Sequence, residues 1–134
     1  MKGRFYMKDN DLERIHRMKI YCTKIGESIA RYGESLDIFS NDWDYHNSVS
    51  MSIMQIGELT NGLSEEFKNA TRSQIPWGPI RAMRNHFAHG YATMSDEEIW
   101  ETATQDIPNL LSFCQRVIEK SEPELRKAPK RDDR

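Results

Sequence analysis

The sequence predicts an all-α protein, a bundle of four to five helices with no sheet. Apolar residues recur at intervals of three and four over most of the chain, and no stretch alternates with period two long enough to make a strand. Capping residues and helix breakers bracket the periodic segments. At 134 residues the chain suffices for one domain with one core, and is too short for separate substrate and cofactor domains. We divide it into a flexible N-terminus (1–7), a helical domain (8–120) and a charged flexible tail (121–134). Met1 to Tyr6 reads as a tag or an alternative start, because "MKDNDLERI" from Met7 already has the form of a beginning.

The first helix is expected from Asp11, where Leu12, Ile15, Met18, Cys22, Ile25 and Ile29 form one stripe between "DND" and Gly33. After a turn rich in Ser, Asp and Asn, Val49, Ile53, Ile56 and Leu63 mark a second long helix. Its start carries Asp42 and Asp44, where the helix dipole favours carboxylates. "SEEFKNATRSQ" is polar and reads as mostly loop or a short turn. "IPWGPI" then opens a third helix, from Trp77 or Pro79 to about His89, with Gly90 ending it. "SDEE" at Ser95 to Glu98 has capping-box form and leads into a fourth helix through Ile99, Trp100 and Ala103. Pro108 should kink or break that helix before Leu110, Leu111, Cys114, Val117 and Ile118 continue it. The tail "EPELRKAPKRDDR" has little to bury and reads as frayed.

Hydrophobic residues at 37%, charged residues at 30% and a net charge of -2 describe a globular protein without the global positive excess of many nucleic-acid binders. Any attraction to a polyanion must be local. No apolar run is long enough to cross a bilayer and the start has no signal-peptide core, so no membrane partner and a cytoplasmic location are expected. Cys22 and Cys114 each fall on an apolar stripe and read as buried free thiols.

The local concentration of charge is "RAMRNHFAHGY", Arg81 to Tyr91. On a helical wheel Ile80, Met83 and Phe87 share one side, while Arg81, Arg84, Asn85, Ala88 and His89 share another. The second side suits a phosphate: guanidinium forks match its oxygens, and an imidazole moves protons near neutral pH. Asn85 and His89, spaced i, i+4, allow the amide to orient the ring. Gly90 allows a turn that would bring Tyr91 back towards the helix end. His86 and His89, spaced i, i+3, raise a metal site, but arginines surround them and no carboxylate or thiolate joins them in sequence, so no metal and no cofactor is expected. His86 falls away from the Arg84 and His89 face and reads as a surface or interface residue. Spacing alone leaves open a solvated helix face, a capping histidine and a packed tyrosine.

Arg84, His89 and Tyr91 together form an R-x4-H-x-Y pattern, with the polar Asn85 directly after the arginine. This resembles the signature of HepT-like toxins of the HEPN superfamily. "DLERI", "QIGEL" and "IPWGPIRAMRN" sit in family-like order, so the resemblance covers roughly residues 8 to 120. It implies a HEPN-like helical bundle and a metal-independent endoribonuclease whose paired motifs meet across a homodimer to bind RNA. Arg84 and His89 would be catalytic, with Arg81 and Asn85 in support. It also implies a toxin-antitoxin pair, in which a minimal nucleotidyltransferase antitoxin transfers AMP to Tyr91. The alternatives are a non-catalytic HEPN-type module that binds RNA, a nucleotide or the antitoxin, and a helical dimerisation protein whose motif only stabilises an interface.

Overall fold

The computed structural model describes residues 7, 9–88 and 94–127. Every regular element among them is helical, in the order α1 (Asp9–Tyr32), α2 (Leu36–Asn41), α3 (Trp43–Gly62), α4 (Glu65–Thr71), α5 (Trp77–Ala88), α6 (Asp96–Glu101), a π-helical turn (Thr102–Asp106) and α7 (Ile107–Lys127). The chain is thus an all-α, HEPN-like bundle. Four long helical segments carry it: α1, α3, α5 and the unbroken run from α6 through the π turn to α7. α3 packs against both α1 and α5, and α7 packs against α1 as well.

The predicted stripes face this common core. Ile15, Met18, Cys22 and Ile25 of α1, Val49, Ile53 and Ile56 of α3, and Leu110, Cys114, Val117 and Ile118 of α7 are all buried, while Leu12, Ile29 and Leu111 are partly so. Each buried aliphatic side chain contributes about 1.5–3 kcal/mol by leaving water. Gly33 ends α1 with φ of 117°, a left-handed conformation that glycine adopts without a Cβ clash. Its carbonyl accepts a 2.9 Å bond from the Tyr45 hydroxyl, which ties the turn to α3.

Two short helices replace segments expected to be loop. Ser35 caps α2 through the Ile38 amide at 3.2 Å, and Phe39 is buried beneath it. "SEEFKNATRSQ" contains α4: Ser64 caps the Phe67 amide at 3.2 Å, two glutamates occupy the first turn, and Phe67 and Thr71 are buried. The cap is held by Asp11, whose carboxylate accepts from the Ser64 amide at 2.8 Å and hydroxyl at 2.6 Å.

The capping box forms as expected, with Ser95 and Glu98 each accepting from the other's amide. Pro108, however, does not break the following helix. The turn before it widens, so that the Ile107 amide reaches back five residues to the Thr102 carbonyl. A wider turn moves aside the carbonyl that a regular helix would drive into the proline ring. α7 also runs to Lys127, past the boundary expected at residue 120. Residues 1–6, 8 and 128–134 of the expected flexible ends lie outside the described residues. Among the described residues no helix is long and apolar enough to cross a membrane.

Candidate functional site

The basic cluster is carried by α5, whose start is fixed by packing. Trp77 is buried, its ring meets Phe113 edge-on at 5.7 Å, and its indole N–H donates to the Thr71 hydroxyl at 2.9 Å. Ile80, Met83 and Phe87 turn towards the core, as the wheel predicts. Arg81 and Asn85 are exposed, and Arg84 is half-buried.

Arg84 is half-buried because α5 lies directly against α3. A Cβ added to Gly57 would sit 2.6 Å from the Arg84 Cβ, so a residue without a side chain permits the approach. The next residue of α3, Glu58, then accepts from Arg84: Nε donates to Oε2 at 2.7 Å. Arg84 Nη1 donates to Asn85 Oδ1 at 3.2 Å. The guanidinium is therefore held from two sides, by a carboxylate at Nε and by an amide oxygen at Nη1. Its other N–H groups remain for a further acceptor.

The family described as ribonuclease HepT-like matches residues 12–117 of the chain, Arg84 among them. The chain belongs to the ribonuclease HepT-like family. Two relatives of this HepT-like chain are each named as a candidate RNase. One, from Caldanaerobacter subterraneus subsp. tengcongensis, is 31% identical over 88 residues, covering 66% of this chain and 78% of the relative. The other, from Methanocaldococcus jannaschii, is 29% identical over 90 residues, covering 67% of this chain and 74% of the relative. No solved structure matches significantly. Membership in the HepT-like family supports a ribonuclease function and RNA as the substrate class.

The R-x4-H-x-Y pattern of this HepT-like chain straddles the limit of the described residues. Arg81, Arg84 and Asn85 are brought together on one flank of α5, whereas His89, Gly90 and Tyr91 lie outside. His86 sits on the opposite flank, where it lines a cavity of about 480 Å³ between α5 and the π turn. Among the described residues, no group of three or more His, Cys, Asp or Glu side chains is placed to hold a metal ion. Glu58 and Gly57 were not predicted as site residues. "QIGEL" did contain a signal, because a glycine inside a helical stripe marks a close backbone approach.

Proposed function

We propose that this protein is a metal-independent endoribonuclease, the toxin of a toxin-antitoxin pair. The observation that carries the reading is Arg84, held by Glu58 at Nε and by Asn85 at Nη1 with N–H groups left for a further acceptor, in a chain of the ribonuclease HepT-like family. His89 takes the proton from a ribose 2′-OH, and the 2′ oxygen forms a bond to the neighbouring phosphorus. The bond to the 5′ oxygen breaks, and that oxygen leaves and takes up a proton. The products carry 2′,3′-cyclic phosphate and 5′-hydroxyl ends. Arg84 stabilises the charge that builds on the phosphoryl oxygens, and Arg81 helps to hold the strand.

The active form is a homodimer. Trp43, Met51, Met54 and Glu58 lie within about 80° on α3, and Trp43 and Met51 are 77% and 43% exposed. This stripe, apolar apart from Asn47, ends at the Glu58–Arg84 pair, so a second copy seated on it would bring two motifs together. Tyr91 is the acceptor for AMP from a partner nucleotidyltransferase antitoxin. An AMP group there would block an incoming RNA phosphate by occupancy and charge.

The test is incubation of wild type, His89→Ala and Arg84→Ala with total bacterial RNA in EDTA, followed by mapping of fragment ends. Cleavage by wild type alone, leaving cyclic phosphates, is the expected result. A folded, dimeric wild type unmodified at Tyr91 that cuts nothing would replace the enzyme with a binding module.

A further inference from the structure

Helix α5 separates two surfaces of opposite character. On the His86 flank, the cavity has a rim that carries Glu98, Glu101 and Asp106. On the other flank, a concavity of about 350 Å³ opens between α4 and α5, with Arg81, Arg72 and Lys68 in its lining and Glu65 as its one carboxylate. Glu65 is already engaged by Lys68, Oε2 to Nζ at 3.3 Å, and Lys68 also reaches the Thr60 carbonyl at 3.4 Å. Among the described residues Arg72 and Arg81 make no ion pair or side-chain hydrogen bond. Two guanidinium groups without a carboxylate partner line one concavity of a protein whose net charge is negative.

The walls of this concavity are fixed. Arg72 follows α4 directly as its C-cap, in helical conformation. The chain beyond it is pinned by the Thr71 carbonyl, which accepts from the Gln74 amide at 2.9 Å and the Ile75 amide at 3.2 Å. The Thr71 hydroxyl donates to the Phe67 carbonyl at 2.8 Å while accepting from Trp77. The α4–α5 corner therefore holds its arginines on a prepared frame. Arg81 stands one turn before Arg84 on α5, about 4.5 Å along the helix axis.

We propose that the α4–α5 concavity is a phosphate track, in which Arg81 and then Arg72 receive the backbone of the RNA strand as it leaves Arg84. Acidic residues on the opposite flank repel a polyanion, so the charge pattern gives the strand one direction across α5. Guanidinium forks bind phosphate oxygens without reading bases, so the track adds affinity that grows with strand length and carries no sequence preference. The proposal rests on the ribonuclease reading above and extends the footprint of the same site.

The test uses the full chain and 2′-O-methylated oligoribonucleotides of four and twelve nucleotides, which cannot be cleaved by 2′-OH attack, with binding followed by fluorescence anisotropy. Two variants address the track. Arg72→Glu reverses one charge, and Gly78→Glu places a carboxylate in the lining where an added Cβ meets nothing within 4 Å. Lys24→Glu, exposed on α1, applies the same charge change elsewhere. In the wild type the twelve-mer binds more tightly than the four-mer. Both track variants are expected to bind the twelve-mer about tenfold more weakly. Their salt slope should be shallower by about 0.7 for each phosphate of the single strand that is no longer neutralised. Lys24→Glu should match the wild type.

Equal weakening in all three variants, or none in the track variants, overturns the track and leaves the cleavage reading standing. Tight, length-dependent binding by a wild type that cuts no RNA fails the cleavage reading and keeps the track. A wild type that binds neither oligonucleotide overturns both.

Discussion

Glu58 decides what Arg84 can do. The pair is partly exposed, with 46% and 37% of the two side chains accessible, so its contribution to stability is small, under about 1 kcal/mol. Its effect on direction is larger, because a carboxylate at 2.7 Å from Nε fixes the plane of the guanidinium. Glu58→Gln should therefore leave the melting temperature within about a degree or two while lowering kcat about tenfold, with little change in KM. Equal losses in kcat and thermal stability would mean a structural pair only. Cys22 and Cys114 make a second prediction at this scale. Burial pushes the Cys114 thiol up to about 12, partly opposed by Lys19, and burial pushes Cys22 up as well, with the charge of Cys114 adding to it. Both folded-state values exceed the ordinary thiol value of about 8.5, so the unfolded chain releases these protons first. Stability from them is complete below that value and is lost as pH rises towards 12. Urea midpoints should fall between about pH 8 and pH 10.5, and Cys114→Ala should flatten that fall.

Where helices meet, the sequence was legible to the extent that pattern reports burial. The stripes of α1, α3 and α7 arise from the 3.6-residue period, because one face of each is mostly apolar, although α3 also buries Ser50, Ser52 and Thr60. α4 was harder to see, since only Phe67 and Thr71 of its seven residues are buried and its other positions, Ala70 apart, are polar. Its signal lay in the cap, a serine followed by two glutamates, and not in the period. The widened turn before Pro108 could not be read, because proline signals a conflict without saying how the backbone resolves it. At Gly57, where α3 and α5 approach at a single point, helix preference and packing pull in opposite directions. Alanine there favours the isolated helix by about 1 kcal/mol. Its methyl would nonetheless meet the Arg84 Cβ, and overpacking of that kind costs about 1–3 kcal/mol. Gly57→Ala should thus lower the melting temperature by several degrees and reduce cleavage, because displacing α5 moves Arg84 from Glu58. A variant as stable and active as wild type would place the two helices further apart than this packing requires.

For the molecule as a whole, the question is how a chain of net charge -2 binds a polyanion. The sequence points to α5, where Arg81, Arg84 and Asn85 share a face at helical spacing. It could not show Arg72, which is contributed by a segment that reads as loop and comes into range only through the α4–α5 corner. Each copy then offers Arg72, Arg81 and Arg84, and for single strands each phosphate neutralised adds about -0.7 to the slope of log affinity against log salt. One protomer gives about -2, and two copies sharing a strand give about -4. Met51→Asp places a charge in the exposed α3 stripe, about 10 Å along the helix axis before Glu58, and should yield a folded monomer. If the dimer forms one continuous RNA surface, the wild-type slope is about -4 and the Met51→Asp slope about -2, with cleavage reduced at least about tenfold. A monomeric variant that keeps the full slope and full activity would confine binding and catalysis to one copy, and the apolar stripe on α3 would then serve some other contact.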